Sequence, residues 1–307
     1  MSIIVSTKHL TKSFQGKEVV SDVSMNIFQG EIYGFLGPNG SGKTTVMKML
    51  LNLVKPTSGD IEIFGEPLTY SSIEYLKRVG SIIEFPVFYD KLTALENLEL
   101  HCAYMGFYNK KALKETLELV HLTNVDQKSV RDFSLGMKQR LGIARAMITR
   151  PELLILDEPI NGLDPSGMKD MRSIFSMLSK EYGMTLLISS HLLGEVEVIA
   201  DTIGIIKSGR LIREISMDTM RGQGTDYVEL KTPDYQKAAF ILESKLQLRN
   251  FKVMDNAIIR IYDTGIAQSD ISKTLILNDI NIESINKRTA SLEEYFLTQI
   301  EGVENVV

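Results

Sequence analysis

The chain has 307 residues, of which 44% are hydrophobic and 24% charged, and a formal net charge of -5. This balance fits a globular protein of one large domain or two modest ones. The negative charge and the lack of a basic stripe argue against a nucleic-acid partner, and the single cysteine, Cys102, excludes an internal disulfide and suits a reducing compartment.

In chain order, residues 31–37 (EIYGFLG) form a short apolar run entering a glycine-rich loop, and residues 44–53 have the apolar spacing of a helix. From residue 93 to 148 the pattern is helical. Thr93 with Glu96 makes a capping-box pattern, and Leu113, Leu117 and Val120 fall on one helical face. Residues 153–156 and 185–189 return as compact apolar runs, the look of buried parallel strands. Two glycines punctuate residues 221–225, which read as a linker. Beyond it, residues 227–231, 251–254, 257–262 and 280–285 read as strands and 233–247 and 268–278 as helices. Ser291 with Glu294 opens a last helix through Ile300. The expected organisation is a domain over 1–220 with a helical subdomain at about 90–150, a linker at 221–225, and a small α+β domain over 226–307.

The residues Gly37-Pro38-Asn39-Gly40-Ser41-Gly42-Lys43-Thr44 match the phosphate-loop pattern, with Thr45 following in the helix. Its glycines let backbone N–H groups turn inward around phosphate oxygens, and the helix presents its positive end. Lys43 is expected to contact the β- and γ-phosphates of ATP and Thr44 to ligate Mg²⁺. Downstream, Asp157 and Glu158 end the apolar run LLIL. Ligands of parallel α/β sheets bind at the carboxyl ends of strands, which predicts that both acids meet the phosphate loop. Asp157 would then hold Mg²⁺, and Glu158 would orient and polarise the attacking water.

With these motifs in place, the chain resembles the nucleotide-binding subunits of ATP-binding cassette transporters over residues 1 to about 215. Phe133-Ser134-Leu135-Gly136-Met137-Lys138-Gln139-Arg140 looks like the family's signature, and Asn161-Gly162-Leu163-Asp164 is similar to its D-loop. His191 occupies the switch-histidine position, and Phe14 that of an aromatic stacking on adenine. The resemblance implies an α/β fold: a P-loop NTPase cassette with an inserted helical subdomain, here followed by the small C-terminal α+β domain. It also implies that two cassettes pair head to tail, Ser134 and Gly136 of one chain closing over the γ-phosphate held by Lys43 of the other. His191 would sense that phosphate, and Asp164 would communicate across the interface.

The sequence departs from the common family pattern where Glu84, a carboxylate still expected to bind Mg²⁺, replaces a glutamine that approaches the metal and touches the membrane partner, and where Leu135 and Met137 replace glycine and glutamine. Glu84, the variant signature and the C-terminal extension resemble the bacitracin-resistance and lantibiotic-immunity branch. That branch implies export or expulsion of peptide antibiotics; a lipid or drug exporter is the alternative cargo reading, and a soluble cassette ATPase without a permease the alternative class. No stretch approaches the roughly 18–20 apolar residues needed to span a bilayer, and the N-terminus lacks a secretory core. The expected partners are a polytopic permease and a second cassette, with the chain peripheral on the cytoplasmic face of the cell membrane. Residues 85–108 carry Phe85, Phe88, Tyr89, Tyr104, Phe107 and Tyr108, the expected lining of the groove that receives the permease.

Overall fold

The computed structural model describes residues 2–289 except 70, 108, 124, 126, 223–225, 255–256 and 264. By its contacts the chain divides into two compact units, Met1–Met217 and Asp218–Val307. The expected linker lies partly, and the expected helix from Ser291 to Ile300 wholly, outside the described residues.

The first unit opens with β1 (Ile3–Phe14), β2 (Lys17–Phe28), β3 (Ile32–Leu36) and α1 (Lys43–Leu50). Next come β4 (Ser58–Ile63), β5 (Glu66–Pro67) and β6 (Val79–Ile82). The helical stretch holds α2 (Ala94–Met105), α3 (Lys110–Leu119) and α4 (Leu135–Met147). It is followed by β7 (Leu153–Leu156), α5 (Pro165–Lys180), β8 (Thr185–Ser190) and α6 (Leu193–Glu197). β9 (Thr202–Lys207) and β10 (Arg210–Ser216) close the series, and α7 (Met217–Gly222) spans the boundary, all but its first residue belonging to the second unit.

Six of these strands form one sheet in the order β10-β9-β3-β8-β7-β6, with β9 through β6 parallel and β10 an antiparallel edge. Every residue of β3, β7 and β8 is buried, as expected of parallel strands covered on both faces. Their side chains still alternate. Tyr33, Phe35, Ile155 and Leu187 join the core that contains Val46, Met47 and Met49 of α1. Leu154, Leu156, Leu186 and Ile188 join the core that contains Leu98, Leu141 and Phe175 on the other side. The register pairs Leu36 with Ser190 and Leu156 with Ile188, so the turns after β3, β7 and β8 leave from one edge of the sheet.

A second, antiparallel sheet, β2-β1-β4-β5, was not expected from the strand–helix alternation of this region. Most of its charged residues are exposed, while Val5, Leu10, Met25 and Ile27 face the α1 core. In the helical stretch the capping box forms: Thr93 Oγ1 accepts from Glu96 N at 3.2 Å, and Glu96 accepts from Thr93 N at 2.7 Å.

The second unit contains β11 (Asp226–Lys231), α8 (Tyr235–Leu246), β12 (Phe251–Met254), β13 (Ile258–Ile261), α9 (Gln268–Ile276) and β14 (Ser284–Thr289). The order β12-β13-β11-β14, all antiparallel, is that of a ferredoxin-like βαββαβ domain. The last strand starts later than the 280–285 apolar run. Ile280 and Ile282 pack on the core, but ladder pairing begins only at Ser284 opposite Lys231.

Candidate nucleotide site

Three adjacent strand ends converge on one group of side chains. Lys43, the first residue of α1, is only 5% exposed; its Nζ donates to the carbonyl oxygens of Gly37 at 2.7 Å and Pro38 at 3.3 Å. The same ammonium lies 3.3 Å from Glu158 Oε1, an ion pair without hydrogen-bond alignment. Thr44 Oγ1 donates to Asp157 Oδ2 at 2.8 Å, and Ser189 Oγ donates to Asp157 Oδ1 at 2.6 Å. Ser189 Oγ also accepts from the N–H of Glu158 at 2.8 Å, and His191 Nδ1 lies 2.8 Å from Glu158 Oε2. Hydroxyl, two carboxylates and imidazole thus form one hydrogen-bonded network, which the lysine joins through its ion pair with Glu158.

The backbone at Glu158 has φ +47°. A non-glycine residue in this left-handed region costs about 1–2 kcal/mol. Its N–H bond to Ser189 and the bond from Asn161 N to its carbonyl at 3.1 Å hold it there, and the turn aims its carboxylate at Lys43 and His191.

The loop itself fits an anion. A Cβ at Gly37 would strike the carbonyl oxygen of Ile206 and stand 2.8 Å from Ser41 Oγ, so only glycine lets the loop pack this closely against Ile206. Ser41 Oγ is buried without a hydrogen-bond partner among the described residues, an orphan whose desolvation an incoming acceptor would relieve. The N–H groups of the first turn of α1 have no intrahelical acceptor and carry the positive end of the helix. Thr44 and Asp157 together present hard oxygen donors suited to Mg²⁺, which binds through one or two protein ligands plus phosphates and water.

A family model described as ABC transporter matches residues 20–161. The chain is 63% identical to an uncharacterized ABC transporter ATP-binding protein of Bacillus subtilis across 98% of both chains. It is 46% identical to the bacitracin transport ATP-binding protein of Bacillus licheniformis across 98% of this chain and 99% of that one. The chain belongs to the family of ABC transporter ATP-binding proteins. One solved relative is a dimeric ATP-binding cassette in a post-hydrolysis state bound to ADP and Pi; it is 27% identical, with a TM-score of 0.63, over 70% of this chain and 99% of that one. This cassette is an ATPase, and the α/β fold with its inserted helices is that of the family.

Other residues singled out from the sequence of the cassette sit apart from the network. Ser134 caps α4, its Oγ accepting from Met137 N at 3.3 Å, and Asp164 caps α5, its Oδ1 accepting from Gly167 N at 3.3 Å. Phe14, 46% exposed at the end of β1, has Lys12 Nζ 4.9 Å from its ring centre. Glu84 follows β6 with φ +63°, and its carboxylate pairs with Lys48 of α1 at 2.7 Å. Lys48 lies one helical turn beyond Thr44, on the same face.

Two participants were missed from sequence, Ser189 and Lys48. Ser189 carried a usable signal, because a hydroxyl inside a fully buried strand needs a partner. Lys48 carried none, since its partner is 36 positions away.

Three residues along the chain from Glu84, Val87 helps to line a cavity of about 460 Å³, together with Phe88, Tyr89, His101, Tyr104 and Arg145. Phe85, Tyr89 and Tyr104 stand exposed, whereas Phe88 and Phe107 pack on the core; Tyr108 lies outside the described residues. Arg145 Nη1 donates to the carbonyl of Val87 at 2.6 Å, and its guanidinium lies 4.8 Å from the ring centre of Phe88. Burial, reinforced by Arg145, holds the imidazole of His101 below its ordinary range.

Proposed function

We propose that this cassette powers a membrane transporter that exports or expels peptide antibiotics of the bacitracin or lantibiotic type. The observation that carries the reading is the network joining Lys43, Thr44, Asp157, Glu158 and His191 at the ends of adjacent strands. Full-length similarity to a bacitracin transport ATP-binding protein supports the cargo class.

On this reading ATP enters with its phosphates in the loop Gly37 to Thr45, where Gly40, Gly42 and Asn39 contribute backbone N–H groups, and with its adenine against Phe14. Lys43 exchanges the carbonyls of Gly37 and Pro38, and the carboxylate of Glu158, for phosphate oxygens. Thr44 and Asp157 would hold Mg²⁺, which would supply positive charge to neutralise those oxygens. Ser189 fixes Asp157 in place. Once Lys43 has moved, Glu158 accepts a proton from the attacking water; His191 orients its carboxylate by donating from Nδ1, and with both ring nitrogens protonated it donates from Nε2 to the γ-phosphate.

The site is completed by Ser134 and Gly136 from a second copy, and Asp164 lies at that interface. ATP binds the closed pair better than the open one, so binding drives closure and loss of the γ-phosphate releases it. The cavity lined by Val87, Tyr89 and Tyr104 receives a segment of a polytopic permease, which holds the chain at the cytoplasmic face of the membrane. Exposed aromatics around a cavity suit such an interface, and among the described residues no helix is long and apolar enough to cross a membrane.

The test is to express the chain with a permease encoded beside it and measure resistance to bacitracin. Resistance above that of the Lys43→Ala variant is expected; equal resistance from both contradicts the proposal. Glu84 reports on coupling, since it pairs with Lys48 of α1 and stands three residues before Val87 of the cavity lining. Changing Glu84 to glutamine removes the ion pair, and permease-stimulated ATP turnover is expected to shift about two- to fivefold. Unchanged stimulated turnover and resistance would show that Glu84 has no part in coupling.

A further inference from the structure

The signature turn and the D-loop of this chain are interlocked through two leucines and two glycines. The side chain of Leu135 lies over Gly162: a Cβ added at Gly162 would stand 2.9 Å from Leu135 Cδ2. In return Leu163 lies over Gly136, with its Cδ2 3.5 Å from the position of a Cβ there. Gly162 has φ +76°, so a side chain at this position meets both backbone strain and Leu135. Farther along the same two helices, Arg140 Nη2 of α4 pairs with Asp170 Oδ2 of α5 at 2.8 Å.

These contacts leave the two helix starts little freedom to move independently. Ser134 caps α4 and Asp164 caps α5, and the intervening glycines are each covered by a leucine of the other segment. The D-loop is in turn tied to the hydrolytic carboxylate, because Asn161 N donates to the carbonyl of Glu158 at 3.1 Å. A displacement at Glu158 therefore has a short packed route to Ser134 and Gly136. A further ion pair, Arg172 Nη1 of α5 with Glu195 Oε2 of α6 at 3.0 Å, ties α5 to the helix that follows His191.

We infer that Leu135 is a positioning residue that couples the two nucleotide sites of a cassette pair. It transmits the state of Glu158 and the D-loop in one site to the signature turn offered to the other. The inference rests on the head-to-tail pairing proposed above. Leu135 is 43% exposed, so it can be shortened with little loss of core. With the interlock intact, hydrolysis depends cooperatively on ATP; without it, Ser134 and Gly136 still reach the second site, but each site turns over independently.

The experiment measures ATPase rate against ATP concentration for the wild-type chain, Leu135→Ala and Leu135→Met, alongside ATP-induced dimerisation of Glu158→Gln by size-exclusion chromatography. The expected Hill coefficient is close to 2 for the wild type and for Leu135→Met, whose flexible side chain still covers Gly162, and about 1 for Leu135→Ala. The thermal shift produced by ATP should be the same in all three, since the phosphate loop is untouched. A coefficient unchanged in Leu135→Ala, or a wild-type coefficient of 1, overturns the inference while leaving the pairing intact if Glu158→Gln dimerises. If Glu158→Gln does not dimerise with ATP, the pairing and the inference fall together.

Discussion

Replacing Glu158 with glutamine is expected to lower ATP turnover by about three orders of magnitude, within the range that a positioned general base contributes. The substitution preserves size and keeps the left-handed turn, because the N–H bond to Ser189 and the bond from Asn161 involve the backbone alone. What it removes is the carboxylate facing Lys43 at 3.3 Å and His191 at 2.8 Å. ATP binding should survive, since Lys43, Thr44 and the loop are unchanged, and the bound nucleotide should accumulate unhydrolysed in a dimer. Steady-state phosphate release and size-exclusion chromatography with MgATP check both parts. Wild-type turnover in this variant would exclude Glu158 as the base.

Lys43→Ala is expected to act at the other end of the same network and by a different route. Charge-assisted hydrogen bonds are each worth about 1.5–3 kcal/mol, so losing the ammonium should weaken ATP binding by roughly 10- to 100-fold. The ligand-free chain should also melt at a lower temperature. The carbonyls of Gly37 and Pro38 lose a donor, and Glu158, left with only His191, loses its cation. Thermal denaturation with and without ATP separates the effects: ATP raises the melting temperature of the wild type through its binding to the folded state, and the variant should show little such rise. An equal rise in both would mean that Lys43 does not hold the nucleotide.

The parts of this site that were legible in the sequence are those written in short local patterns. The runs IYGFL, LLIL and TLLISS are continuous because both faces of a parallel sheet are covered, and the phosphate-loop spacing follows from the needs of an anion cradle. The antiparallel sheet of β1, β2 and β4 was not legible. Its strands mix charged and apolar residues, and register shifts interrupt their alternation, as between Thr7 and Leu10. Tertiary pairing also escaped: nothing near Glu84 announces Lys48, and nothing in LLISSH says that the first serine rather than the second holds Asp157. In the second unit the helices followed their periodicity. The final strand slipped because Ile280 and Ile282 mark burial, not ladder pairing.

The left-handed turn at Glu158 belongs to the same class of hidden features. No local residue type demands it, and it exists because Ser189 and Asn161 bind the backbone on either side. Positions of this kind recur where a fold trades stability for the placement of a reacting group.

Under the proposed head-to-tail pairing, the network of Lys43, Glu158 and His191 is half of a catalytic site. The most direct measurement is the specific ATPase activity of the purified chain as a function of its own concentration at saturating MgATP. Activity per chain should rise with concentration and level off as pairs form. Activity per chain that stays constant down to concentrations at which the protein is monomeric would contradict the claim.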